Sequence, residues 1–190
     1  AKKLQSSSNA SQKTDLINQL LARQQTDGGF ADQPGQASNV FDTALALAAL
    51  AESGYPTAQL QGSVNYLLAA QAATGQWYYQ TQQDSLLLTA MVARALHPFR
   101  HAIPSAKLAV DKAVQYLLAQ RKANARWGDL FLDAAILLAV VPTVDDLAVV
   151  ADSLAVLKAA QRPDGSWEGD VYTTALMLQL FNLVNGDKFN

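Results

Sequence analysis

Residues 161–180 read QRPDGSWEGDVYTTALMLQL. The stretch closes one helix-like run at Gln161, makes a tight polar turn through Gly165, sets down Trp167 and opens a second, apolar run. The same phrase recurs upstream. Gln24 is followed by Gly28 and Phe30 in QQTDGGF, and Gln71 by Gly75 and Trp77 in QAATGQW. A drifted copy emerges when VNYLLAAQ (64–71) is laid over VQYLLAQR (114–121): Arg121 replaces the Gln, Ala125 the Gly, and Trp127 keeps the aromatic. The anchors therefore stand at 24, 71, 121 and 161, a period of 40 to 50 residues that marks a repeat architecture.

Each anchor ends a segment with apolar residues at i, i+3 and i+4 and a polar opposite side, as in DLINQLLARQ with Leu16, Ile17, Leu20 and Leu21. The segments after the turns, FDTALALAALA, DSLLLTAMVARAL, LDAAILLAVV and YTTALMLQLF, are apolar nearly all round and should be buried on both sides. One-sided and all-round helices in alternation predict two layers, amphipathic helices outside and apolar ones inside. Pro56, Pro98, Pro104 and Pro142 fall between the hairpins, where helices must break. The pattern predicts helices near 11–24, 39–53, 58–72, 82–96, 105–121, 130–141, 144–161 and 170–184. Residues 1–10, rich in Ser and Gln without an apolar period, read as a tail, and 11–190 as a single α/α-hairpin repeat domain.

Composition narrows the function classes. Of 190 residues half are hydrophobic and 16% charged, with a net charge of -2 and no basic run, which argues against nucleic acid as a partner. No apolar run is long enough to span a membrane. The chain has no cysteine, so disulfides and thiolate chemistry are excluded.

The phrase Q-x3-G-x-W/F closing an outer helix, followed by an inner helix opening like DVYTTAL, resembles the QW-type repeat of the squalene-cyclase and prenyltransferase superfamily. The resemblance spans residues 11 to 184. It implies an all-α fold, an α/α toroid or partial toroid of about four hairpins; an open α-solenoid is the alternative. It implies that the Gln amide bonds a neighbouring helix end and that the aromatic packs over it. Gln24, Gly28, Phe30, Gln71, Gly75, Trp77, Trp127, Gln161, Gly165 and Trp167 would thus be structural staples. With Arg121 and Ala125 substituted, the third staple should be weaker, and Trp127→Ala should cost less than Trp167→Ala.

The superfamily's chemistry is harder to find. The nearest match to an Asp-x-Asp-Asp acid is TVDD, Thr143 to Asp146, which lacks the first Asp and reads as a helix cap. The cysteines of zinc-dependent prenyltransferases and of thioester domains are missing. Neither cofactor nor metal is implied. His97 and His101, spaced like a helical metal pair, are interrupted by Pro98 and read as a solvated loop.

The remaining candidates lie at the starts of the inner helices. Alignment sets Asp42, Asp84 and Asp133 at one position with Thr173, and Asn39, Thr81 and Asp170 three residues earlier; in a ring these starts would meet at one mouth. Tyr79 and Tyr172, with Phe41 and Tyr78, add aromatic surface there. Caps and helix dipoles account for the acids without a ligand. The expected function is a non-catalytic domain of a larger, exported protein. Its partner would be another domain of a longer chain, or a protein, glycan or apolar ligand at the mouth. An enzyme on terpenoid or prenyl substrates, or a polysaccharide-active toroid using Asp84 and Asp133, are the alternatives.

Overall fold

The structure, a computed structural model, describes residues 2–79 and 85–186, with the backbone alone for 2–10. Among these are eight α-helices, and the only β-type pairing is isolated bridges such as Gln24 with Phe30. The chain divides into two compact units, residues 1–70 and 71–190.

The first unit holds α1 (Lys2–Leu21), α2 (Val40–Glu52) and α3 (Gln61–Ala69), with α2 packed on α3. The helix α1 starts well before residue 11, so the stretch expected as a tail continues the first helix. Residues 2–21 contain neither Gly nor Pro, and nothing in them stops a helix from propagating backwards.

The second unit holds α4 (Leu86–Leu96), α5 (Pro104–Ala119), α6 (Leu130–Val140), α7 (Ala151–Ala159) and α8 (Val171–Gly186). Two layers follow from the apolar patterns. The apolar helices pack in series, α4 on α6 and α6 on α8, while α5 lies against α4 and α6, and α7 against α6. Sitting between these neighbours, α6 buries Leu130, Ala134, Ile136, Leu137, Leu138 and more, with Ile136 and Leu137 at 0% exposure. Each such side chain contributes roughly 1.5–3 kcal/mol by leaving water. The outer helix α5 buries one stripe, Ala106, Ala109, Val110, Ala113, Val114 and Leu117. Although largely apolar, α8 buries only Thr173, Met177 and Leu180. The all-round burial expected of it does not occur, because burial depends on neighbours and α8 packs mainly on α6.

All four turns after the outer helices share one geometry. In the second, Ala72 N donates to Gln76 O at 3.0 Å and Gly75 N to Ala72 O at 2.9 Å; in the third, Lys122 N donates to Arg126 O at 2.8 Å and Ala125 N to Lys122 O at 3.0 Å. The geometry requires a left-handed residue. Gly75 has φ 104° and Ala125 has φ 63°, so the third turn is built with the wrong residue type. An L side chain in that region costs roughly 1–2 kcal/mol, partly offset by the larger unfolded-state entropy of Gly. Ala125→Gly is therefore expected to raise stability by about 0.5–1 kcal/mol, visible as a higher urea midpoint.

Candidate functional site: the inner-helix starts

Each inner helix opens on a side-chain cap. Asn39 Oδ1 accepts from Asp42 N at 2.8 Å, Ser85 Oγ from Leu88 N at 3.1 Å, Asp129 Oδ1 from Leu132 N at 2.8 Å, and Asp170 Oδ2 from Thr173 N at 2.6 Å. These bonds satisfy orphan N–H groups of the first turn. The cap of α4 is Ser85, not Thr81. Thr81 and Asp84 lie outside the described residues.

One position further on in each helix stands a polar residue that the sequence alignment misses: Thr43, Thr89, Asp133 and Thr174, each four positions past its cap. Every one accepts from the backbone N–H of the aromatic in its own turn. Phe30 N donates to Thr43 Oγ1 at 2.8 Å, Trp77 N to Thr89 Oγ1 at 3.2 Å, Trp127 N to Asp133 Oδ1 at 2.8 Å, and Trp167 N to Thr174 Oγ1 at 3.0 Å. The visible signal is a Thr or Asp four residues after an N-cap residue, in a helix otherwise apolar.

This register separates the candidate acids. Asp42 is the third residue past its cap, in a reciprocal pair with Asn39, whose Nδ2 donates to Asp42 Oδ2 at 2.5 Å. Asp133 is the fourth residue past its cap and is 1% exposed. Its carboxylate accepts from Trp127 N, from Gly128 N at 2.9 Å and from Arg126 Nε at 2.6 Å. Asp133 therefore faces its own turn, not a mouth. Asp170 is an exposed cap, and the Thr173 N–H it accepts holds its carboxyl below the usual value. Tyr172 is 76% exposed at the start of α8, and Tyr79 is 38% exposed. Tyr78 Oη accepts from Gln76 Nε2 at 2.9 Å.

Two open clefts border these starts. One, of about 270 Å³, is lined in the first unit by Leu20, Arg23, Phe30, Asp42 and Leu45. The other, of about 400 Å³, is lined in the second unit by Asp164, Asp170, Val171, Thr174 and Leu178. Among the described residues no group of three His, Cys, Asp or Glu could hold a metal ion, and no helix is long and apolar enough to cross a membrane.

The staples tie outer helix to outer helix. Gln24 Nε2 donates to Gly28 O at 3.1 Å and Ser63 Oγ at 3.0 Å; Gln71 Nε2 donates to Gly75 O and Ala109 O, both at 2.8 Å. Arg121 takes the Gln role, with Nη1 donating to Val149 O at 2.9 Å and Ser153 Oγ at 3.4 Å. The indoles add a bond back to their own outer helix, Trp127 Nε1 to Leu117 O at 2.6 Å and Trp167 Nε1 to Leu157 O at 2.7 Å. The third staple is thus complete despite its drifted residues.

His97 is half-buried and not in a solvated loop. Its Nε2 sits 3.2 Å from Pro142 O, which also accepts from Arg100 Nη1 at 3.1 Å. Burial lowers its pKa below 6.5, with Arg100 and His101 adding repulsion. Between that lowered value and 6.5 the unfolded chain binds more protons, so stability is full above about 6.5 and falls on acidification. Urea midpoints at pH 7.5 and 5.0 should show the loss, and His97→Gln should shrink the difference.

Staples closing paired helices, apolar helices inside and amphipathic ones outside, define an α/α-toroid repeat protein. A sequence model of the prenyltransferase alpha-alpha toroid domain matches residues 2–129, and the chain belongs to that family. Among solved structures, ent-copalyl diphosphate synthase from Streptomyces platensis matches with a TM-score of 0.65 and 24% identity over 86% of this chain. The match is one of fold, and this chain spans 37% of that enzyme's length. A protein from Actinoplanes matches with a TM-score of 0.49 and 20% identity, over 80% of this chain and 65% of its own. No curated protein sequence matches the chain.

Proposed function

We propose that the chain is a non-catalytic toroid-type repeat module of a larger protein. In this reading it holds a protein, glycan or apolar ligand at the exposed starts of its inner helices. The observation that carries the reading is the engagement of Asp133. Its buried carboxylate is bonded by three donors of its own turn, which leaves it in no position to move a substrate's proton. Asp129 and Asp170 are likewise occupied as caps. The open surface beside Asp170 is aromatic and apolar, at Tyr172 and Val171. The exported setting expected from the sequence is part of the same proposal.

The test has two arms. Incubation with farnesyl and geranylgeranyl diphosphates should release neither diphosphate nor a cyclised product. Turnover that Asp42→Asn abolishes would overturn the non-catalytic reading. Titration with farnesol and with a neutral oligosaccharide, followed by NMR, should shift the amides of Tyr172 and Asp170 for one of the two. Shifts confined to residues away from both would overturn the placement.

A further inference from the structure

A third cleft lies in the second unit, built from residues 100–145 and at the finishing ends of α4 and α6 rather than at their starts. Its volume is about 490 Å³, which is in the range of small-ligand sites. One wall is the α5 face that carries Lys107, Asp111, Val114 and Leu118. The other is the segment 143–145, which leads from α6 towards α7, and Arg100 and His101 complete the lining.

The charges in this cleft are not all committed. Lys107 and Asp111 cancel each other, Nζ donating to Oδ2 at 2.6 Å. Arg100 is held but not used up. Its Nη1 donates to Pro142 O at 3.1 Å and its Nε to His101 Nε2 at 3.3 Å, and Nη2 has no partner among the described residues. Those bonds fix the guanidinium beside the cleft, and a fixed fork accepts a carboxylate at little further ordering cost. Asp145 is exposed, and its carboxylate has no partner among the described residues. The two unspent charges do not pair with each other. Apolar surface lies in the same cleft, from the buried Val114 and the half-buried Leu118 and Val144. Two neutral polar groups also line it. Thr143 Oγ1 donates to Ala139 O at 3.1 Å, so its lone pairs are left to accept an N–H, and the Gln115 amide is exposed.

We propose that this cleft binds a short peptide with free termini, its carboxylate on Arg100, its ammonium on Asp145 and an apolar side chain on Val114 and Leu118. The charge balance selects this class. A simple anion would meet Asp111 and Asp145, and a simple cation would meet Arg100 and Lys107. A ligand that carries both charges on an apolar body meets a partner for each. Thr143 and Gln115 then serve the peptide's backbone amides. The inference does not depend on what binds at the inner-helix starts.

The test is an NMR titration with the tripeptide Ala-Leu-Ala, free at both ends. It should shift the backbone amides of Gln115, Thr143 and Asp145 at millimolar peptide. N-acetylation and C-amidation of the peptide should each weaken binding about threefold to fivefold, the effect of losing one partly exposed ion pair. Asp145→Asn, at an exposed position that no contact braces, should weaken the free peptide by the same factor and leave the N-acetylated one unchanged. Arg100→Lys should weaken the free peptide and leave the amidated one unchanged. Free and capped peptides of equal affinity, or no shifts at these amides, would overturn the proposal. So would inorganic phosphate that shifts the same amides as strongly as the peptide, which would make the cleft a plain anion site.

Discussion

Asp133→Ala is expected to lower stability by about 3–5 kcal/mol, the largest effect of any single polar change in the chain. The substitution leaves the Trp127 and Gly128 N–H groups without their acceptor and strips Arg126 of its counter-charge, and removing one partner from a buried pair costs that order of energy. Asp133→Thr should recover about half of the loss, because Thr43, Thr89 and Thr174 perform the Trp127-type bond with a hydroxyl in the other hairpins. Urea denaturation of the two variants checks both numbers. A loss below about 1 kcal/mol for Asp133→Ala would mean that the carboxylate is not a turn brace.

Trp167→Ala should cost about 3–5 kcal/mol, and Trp127→Ala a similar amount. Trp167 is 3% exposed, stacks on Phe181 with ring centroids 5.8 Å apart and bonds Leu157 O through its indole. Trp127 is 2% exposed and bonds Leu117 O the same way. Equal losses in thermal melting would correct the expectation, drawn from Arg121 and Ala125, that the third staple is the weaker. The guanidinium reaches Val149 and Ser153 as the Gln amide reaches the next helix elsewhere, and Ala125 adopts the left-handed turn at modest cost.

The helices were legible in the sequence because their period and their breakers are local properties. Pro56 and Pro142 lie just past helix ends, Pro104 opens α5, and Asn39 and Asp170 start α2 and α8 where the pattern predicts. The division into apolar inner and one-sided outer helices was legible for the same reason. The braces were not. A Thr four residues past a cap looks like any helical Thr until the turn's N–H is seen pointing at it. Aligning the acids by type set Asp42 beside Asp133, although one pairs with its cap and the other with the turn. Nor was the partial burial of α8 legible, since its neighbours decide which of its apolar residues are covered. The start of α1 escaped because a Ser- and Asn-rich run with no Gly or Pro resists neither a helix nor a tail.

The central claim is that the buried Asp133 carboxylate braces its own turn and does not act together with the other acids at the inner-helix starts. A double-mutant cycle of Asp84→Asn with Asp133→Asn, read by chemical denaturation, tests it most directly. With the Asp133 charge already paired to Arg126, the two changes should be additive within about 0.5 kcal/mol. A coupling well above that, with the double variant more stable than the sum of the singles, would mean that the two carboxylates repel across a common site, and would contradict the account.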